Sequence, residues 1–426
     1  MKTISIEDFR LSDLNYDFNK EGYFTHNYNR DLQFVILWEN GRKSEKKVLD
    51  IIKSEFEIKY CAEISWSKEY RRANFNRLYS QQMDSKSNLK KHKRVGMGDF
   101  LCVVFEDHNP NYQYLKSLSG DIFIGNKNAV DIKYTIRELL GDNLLHGTAN
   151  LSEFYHHGSL IFHEGLLNQI ISTSSWDGKI NYLQQDIAGT EGWESFEEFF
   201  KTVNYSSDWV VLRNHEYLPN NFWGNDKDID LMCDNLKKFA SASNAIKRKG
   251  GISAYETIVE GKKVLLDIRY VGDNYYDSVW EVEMLNRKMF KGGHVPILRD
   301  DDYFFSLLYH AKLQKKEVKD VYIPRLIKLG KQIGLDDITE EMILKDKDSA
   351  KILNGFLNEK GYYFSKPHDT GVYLNNDAYK YITAHPLINK DSIKTRGIKF
   401  ISRVVPSPIK NLLPKKIKSI ITKGIN

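Results

Sequence analysis

Two stretches of the chain are almost wholly apolar. Gln33 to Trp38 reads QFVILW, and Phe100 to Phe105 reads FLCVVF. Runs of this length without alternation predict strands covered on both faces. Between them, Val48, Ile51, Ile52 and Phe56 recur at helical spacing and predict a helix with one apolar stripe. The lysine-rich stretch 84–95 offers little apolar surface and reads as a solvated loop. Residues 30–165 therefore form an alternating α/β unit. Residues 166–205 (SSWDGK, GWESFEEFF) are aromatic and acidic and read as a connector. A second α/β unit follows over 206–298, with strands near Trp209–Leu212, Ile229–Met232 and Val264–Tyr270. Residues 299–385 are largely helical, since Phe304, Leu307, Leu308 and Ala311 fall on one face of Tyr303–Lys316. No internal repeat is present. The fold class is α/β (α+β).

The chain has 426 residues, 41% of them hydrophobic and 28% charged, which is an ordinary globular composition and allows two or three cores. No apolar run approaches the ~18–20 residues of a membrane helix, and MKTISIEDFR lacks the apolar centre of a signal peptide. Cys61, Cys102 and Cys233 are too few and too far apart for a disulfide framework or a cysteine-rich zinc module, and fit a reducing cytoplasm.

The net charge of +5 conceals an asymmetry. Nine basic residues and no acid occupy 394–426, and without them 53 basic residues face 57 acidic ones. The body is thus mildly acidic, and residues 390–426 form a basic amphipathic tail. Lys415 to Ile425 places Ile417, Ile420 and Ile421 on one helical face with lysines elsewhere. Such a segment suits an anionic membrane surface, each cation adding ~1 kcal/mol. A partner-binding or frayed basic tail ranks second. Nucleic acid ranks third, because the body has no basic excess to extend a footprint.

Two constellations carry candidate chemistry. The first is Asn143-Leu-Leu-His146-Gly-Thr-Ala-Asn, followed by a short helical stretch ending at Phe162. It resembles the nucleoside diphosphate kinase family, whose signature is N-x-x-H-G-S-D-S before an amphipathic helix. Lys133 falls where that family has a phosphate-holding arginine, and QFVILW with its helix resembles the opening βα unit. The resemblance covers residues 30–165 and implies a ferredoxin-like fold. It also implies a neutral His146 that attacks a γ-phosphoryl group, with Asn143 and Lys133 holding phosphates. The family's first-strand lysine falls at Trp38, its orienting glutamate at His157 and its motif aspartate at Ala149. These departures imply a poor kinase, or a fold kept for nucleotide binding or scaffolding. His156 and His157 are expected at the surface.

The second constellation is Asp228-Ile-Asp230-Leu-Met. In a strand, Asp228 and Asp230 point to one side while Ile229 and Leu231 point to the other. Paired carboxylates are costly unless a cation neutralises them, and Mg²⁺ suits them. Asp267, in Lys263-Val-Leu-Leu-Asp267-Ile-Arg269-Tyr, supplies a third carboxylate beyond a Glu260-Gly261 turn, a candidate hairpin partner. One or two metal ions on Asp228, Asp230 and Asp267 would stabilise an in-line displacement at phosphorus. The arrangement looks like the nucleotidyltransferase superfamily (polymerase-β-like), marked by D-x-D on one strand and a third aspartate on a neighbour. The usual Gly-Ser pair upstream is missing. The order Arg213, Pro219, Asp228-Ile-Asp230 is similar to the LicD/fukutin branch, with a longer loop after Pro219.

That resemblance implies Mg²⁺-dependent transfer of a phosphate-containing group from a nucleotide-activated donor to a glycan or lipid-linked acceptor in surface polysaccharide assembly. Arg213 would offset donor charge, and Asp267 would activate the acceptor hydroxyl. Lys247 and Lys249 would hold donor phosphates. Tyr303, Ser306 and His310 lie off their helix's apolar stripe and are placed toward the cleft. With the tail, the reading is a cytoplasmic enzyme resting on the inner membrane face. Two other classes stay open: a toxin-like or regulatory nucleotidyltransferase acting on RNA or protein, and a non-catalytic nucleotide-binding scaffold.

Overall fold

A computed structural model describes residues 4–5, 31–79, 85–116, 122–225, 228–249 and 251–384. It is mixed α/β and divides into two compact units. The first comprises Met1–Ser207 with Lys237–Asn244 and Val259–Gly261, and the second comprises the remainder. The tail expected over 390–426 lies outside the described residues.

In the first unit, β1 (Ile4–Ser5), β5 (Tyr112–Lys116) and β6 (Ile122–Asn126) form a small antiparallel sheet. The main sheet contains β2 (Asp31–Leu37), β3 (Glu57–Ser65), β4 (Phe100–Asp107), β7 (Leu145–Gly147) and β8 (Asn181–Gln184) in the order β7-β2-β4-β3-β8. The β7–β2, β2–β4 and β4–β3 pairs are antiparallel, while β8 joins β3 in parallel. Helices Glu45–Glu55 and Lys127–Leu140 connect β2 to β3 and β6 to β7. Without β8, the path is β-α-β-β-α-β with the fourth strand beside the first.

The continuous apolar runs have a simple cause. Val35, Leu37, Leu101 and Val103 pack against Val48, Ile52, Ile132 and Ile136 of those two helices. The alternate residues Phe34, Ile36, Cys102 and Val104 pack against Phe75, Phe154, Leu160 and Phe162 on the other side. With both faces buried, no strand position has to be polar.

Three expectations change here. Residues 84–95 are not a loop: Ser85–Val95 is helical. Its Leu89, Lys91, His92 and Val95 recur at helical spacing, and of these Val95 and His92 are buried, so the apolar signal is too thin to outweigh five lysines and arginines. Leu151–Ser172 is two helical segments divided at His163 (φ 57°), just after the expected end at Phe162, and the stretch 166–205 completes the second segment, adds β8 to the sheet and forms the Phe196–Asn204 helix. It is part of the first unit rather than a connector. His156 and His157 are buried, because the Leu151–Ser172 helix is covered on most sides. The buried Arg77 donates to the carbonyls of Ala188, Ser241 and Ala242 and to Thr190 Oγ1, and so holds the end of the Leu236–Ala242 helix within this unit.

The second unit carries a seven-stranded mixed sheet: β9 (Trp209–Val211), β10 (Asp228–Cys233), β11 (Ile246–Lys247), β12 (Ala254–Val259), β13 (Lys262–Tyr270), β14 (Met289–Lys291) and β15 (Val295–Ile297). Its order is β11-β12-β13-β10-β9-β15-β14. Glu260 and Gly261 both take positive φ, as a tight two-residue hairpin requires, and they join β12 to β13. β13 is therefore the hairpin partner of β12, and it pairs with β10 in parallel.

Helices Ser278–Asn286, Asp300–Leu313, Tyr322–Gln332 and Asp346–Lys360 bury Trp280, Phe304, Leu307, Leu326 and Leu353 with Val210, Leu212 and Met232 of the sheet. The expected helical region 299–385 thus shares one core with the sheet. Trp280 is fully buried, stacks on Tyr362 at 5.7 Å and donates its indole N–H to Asp302 Oδ1 at 2.8 Å. Replacing it with alanine removes packing and leaves Asp302 short of a donor. Trp280→Ala is expected to cost about 3–5 kcal/mol, read from urea unfolding, with Trp280→Phe costing clearly less.

Candidate active site

The parallel pairing of β10 with β13 sets Asp230 directly opposite Asp267. Period-two alternation then sorts the side chains. Ile229, Leu231, Val264, Leu266 and Ile268 are buried on one face, while Asp228, Asp230, Asp267 and Arg269 share the other. Met232 continues the polar face into the core shared with the helices. Asp228 is exposed at the start of β10, while Asp230 and Asp267 are only partly covered.

Two arginines attend these carboxylates. Arg213 follows β9, whose neighbour Leu212 donates its N–H to the Asp230 carbonyl at 2.8 Å. Its buried guanidinium grips Asp230 with two bonds, Nη2 to Oδ1 at 2.6 Å and Nε to Oδ2 at 3.1 Å. Arg269, also buried, lies 4.2 Å over the Tyr275 ring and donates from Nη1 to Asp369 Oδ2 at 3.2 Å. Its Nε stands 3.5 Å from Asp267 Oδ1. Arg213 Nη1, Arg269 Nε and Asp267 Oδ1 are all buried without a hydrogen-bond partner. Orphaned buried donors and acceptors are expensive, and here three gather on one sheet face.

The supporting helix meets the site in two places. Tyr303 Oη donates to Glu216 Oε1 at 3.0 Å and accepts from the Asn214 N–H at 3.3 Å, while Arg325 donates to Asn214 Oδ1 at 2.6 Å. These bonds fix the loop after Arg213. His310 Nδ1 is 2.9 Å from Tyr275 Oη and 3.2 Å from Gln314 Oε1, and burial holds the ring neutral, far below its usual pKa. Ser306 turns back to the Tyr303 carbonyl and takes no part. Lys247 and Lys249 are exposed on and after the edge strand β11. Burial lowers the pKa of Lys315, Arg213 adds to that effect, and Asp230 and Asp267 oppose it, which places this unforeseen lysine in the same field. Asp369 was equally invisible in the sequence, because it reaches Arg269 across a hundred residues of chain.

Among the described residues, one group of three His, Cys, Asp or Glu side chains brings its ligand atoms within 4.8 Å of one another: Glu57, Glu106 and His108. Lys59 Nζ already stands 2.8 Å from both glutamates there. The three aspartates are not drawn that close, and Arg213 engages both oxygens of Asp230. The orphaned Asp267 oxygen beside a second carboxylate is nonetheless the donor chemistry a divalent cation takes up.

In the first unit, His146 lies on β7 with Nε2 3.1 Å from Nδ1 of His157. His157, the residue at the family's glutamate position, does sit against the histidine, but as a neutral ring: burial pushes its pKa down to about 3. Burial, the His157 ring and Lys133, Lys91 and Arg137 all depress His146. Lys133 donates to the Gly147 carbonyl at 2.9 Å, Arg137 donates to that of Leu145 at 3.2 Å, and Arg137 Nε is buried without a partner. Asn143 is exposed in the preceding turn, its N–H held by Asp142 Oδ1 at 2.6 Å.

No family model, no curated protein and no solved structure matches the chain.

Lys91 lies over the Tyr79 ring, 3.2 Å from its centroid. Burial pushes its pKa down to about 7, and Arg94, Arg137 and Lys133 push the same way. The unfolded chain keeps this proton to about 10.5, so across that window the unfolded state binds more protons. Folding stability should therefore rise with pH from about 7 toward 10, and the penalty is complete below 7. In urea unfolding, Lys91→Met is expected to flatten that rise relative to the wild type.

Proposed function

We propose that the second unit is a metal-dependent transferase of the nucleotidyltransferase type. It moves a phosphate-containing group from a nucleotide-activated donor to a glycan or lipid-linked acceptor. The observation that carries this reading is Asp230 opposite Asp267 on adjacent parallel strands, with Arg213 and Arg269 on the same face. Two neighbouring strands that share three aspartates are the mark of that superfamily, and the β9–β10 hairpin beside parallel β13 is compatible with it.

Asp228, Asp230 and Asp267 would hold Mg²⁺, which when bound supplies charge neutralisation at the donor phosphates. The chain's own groups do the rest. Arg213 holds the Asp230 carboxylate in one orientation through two charge-assisted bonds. Its buried Nη1, which has no hydrogen-bond partner, is the donor left over for a phosphate oxygen. Asp267 Oδ1, which has no hydrogen-bond partner, accepts the proton of the attacking hydroxyl. Tyr303 and Arg325 fix the Arg213 loop, so the guanidinium is positioned before substrate arrives.

The test is Mn²⁺ or Mg²⁺ binding by calorimetry, together with transfer from a panel of CDP-activated donors. Asp230→Asn and Asp267→Asn should each lower metal affinity and slow transfer roughly a hundredfold or more, which is several kcal/mol of barrier. Metal binding and nucleotide binding left intact in both variants would retire the enzyme and favour a scaffold. Label appearing on RNA or protein rather than glycan would favour the regulatory class. No described helix is long and apolar enough to cross a membrane. Attachment to an inner membrane surface rests on residues 394–426, and liposome flotation with and without them tests it.

A second reading belongs to the first unit. Its β-α-β-β-α-β path supports a nucleoside-diphosphate-kinase-like, ferredoxin-like fold. Lys91, Lys133 and Arg137 around a neutral His146 favour phosphate binding. A neutral His157 in place of the orienting carboxylate disfavours phosphotransfer. Incubation with γ-labelled ATP should show nucleotide binding without acid-labile label. Label that disappears in His146→Ala would establish an active phosphohistidine instead.

A further inference from the structure

Arg269 does not behave as a simple structural arginine. Its guanidinium is nine-tenths buried, yet its direct bond to Asp369 uses Nη1 alone, and Nε is ion-paired with Asp267 Oδ1 at 3.5 Å without a hydrogen bond. The Tyr275 ring beneath it fixes the plane, and His310 fixes the Tyr275 hydroxyl. A fork held in one plane with N–H groups to spare is the geometry that binds a tetrahedral oxyanion through two oxygens. Arg213 shows the same economy: Nε and Nη2 go to Asp230, and the buried Nη1 is left over. Both side chains stand on the face of the paired aspartates. Two separate guanidinia with unspent donors call for two linked anionic groups.

Asp369 is the counterpart. It is placed by its own loop, not by Arg269. The His368 N–H donates to the Asp273 carbonyl at 2.9 Å, His368 Nε2 meets Asn274 Nδ2 at 2.8 Å, and Asp369 Oδ1 accepts the Gly371 N–H at 3.0 Å. Only Oδ2 is turned on Arg269. With Asp228, Asp230 and Asp267 on the same sheet face, it adds a further carboxylate that a polyanionic ligand would have to displace from Arg269.

We propose that Arg269 is a second phosphate-binding side chain of this site. Together with Arg213 it takes the diphosphate of a nucleotide-activated donor, and Asp369 competes with that diphosphate for the guanidinium. The proposal rests on the transferase reading above and names the part of its donor that the site recognises. Arg269 is a binding residue, and Asp369 is a positioning residue that gates it electrostatically.

The experiment is calorimetric titration of the full chain, in Mg²⁺, with inorganic pyrophosphate, orthophosphate and CDP. Wild type should prefer pyrophosphate over orthophosphate. Arg269→Gln should lose about tenfold to a hundredfold in pyrophosphate affinity and most of that preference, the loss expected for one charge-assisted fork. Arg269→Lys, which keeps the charge and guards against a folding artefact, should recover only part. Asp369→Asn should bind pyrophosphate several-fold more tightly than wild type, an effect that a merely structural aspartate would not produce. Wild-type indifference to pyrophosphate, full affinity in Arg269→Gln, or weakened binding in Asp369→Asn would each overturn the proposal. Failure of the wider reading looks different: Asp230→Asn would bind Mn²⁺ as wild type does while Arg269→Gln still lost pyrophosphate.

Discussion

The parallel register between β10 and β13 is the constraint on which the candidate site depends. It sets Asp230 against Asp267, puts Arg269 one step along the same face, and turns Ile229, Leu231 and Leu266 into the opposite layer. Because side chains alternate, a slip of β10 by one residue would turn Asp228 and Asp230 into the aliphatic layer and bring Ile229 and Leu231 to the polar face. The register is therefore protected by the hydrophobic effect, and the polar face inherits its precision. Arg213 adds a second lock, since the strand that delivers it is hydrogen-bonded to the Asp230 carbonyl through Leu212. Backbone pairing and the side-chain ion pair specify the same arrangement.

How much of this was legible depended on range. QFVILW, FLCVVF and the Asp228–Cys233 strand were readable because apolar runs and alternation are local signals. The faces of Asp230 and Asp267 followed from the same periodicity. Their direct opposition did not, because register is set by the pairing of strands far apart in sequence. The Ser85–Val95 helix was lost under its lysines, since an amphipathic stripe this narrow looks like solvated charge. His156 and His157 were misplaced because neighbouring helical residues point in different directions, so burying both takes a helix covered on most sides. The Arg269–Asp369 contact and the field around Lys315 had no sequence signal at all. They arise where a helix and a C-terminal loop fold back over the sheet.

The two units use charge in contrasting ways. In the second, buried guanidinia are matched by carboxylates, Asp230 on Arg213 and Asp369 on Arg269, at hydrogen-bond distance. In the first, burial depresses Lys91, Lys133 and His146, Arg137 adds to the effect on all three, and Glu153 opposes it at Lys133. A matched site is electrostatically satisfied and selects by geometry. A cationic one is under tension, and any anion that fits would relieve it.

The Leu236–Ala242 helix carries a consequence for dissection of the molecule. It follows the aspartate-bearing strand by only a few residues, yet Lys237–Asn244 belongs to the first compact unit, its last carbonyls gripped by Arg77. The polypeptide thus crosses between the units more than once, and no single cleavage point separates them. A fragment beginning at Asp208 would carry away a segment that the amino-terminal half needs to cover Arg77. A fragment ending at Ser207 would leave that guanidinium facing missing acceptors. The two halves are intertwined in sequence even where each has its own sheet.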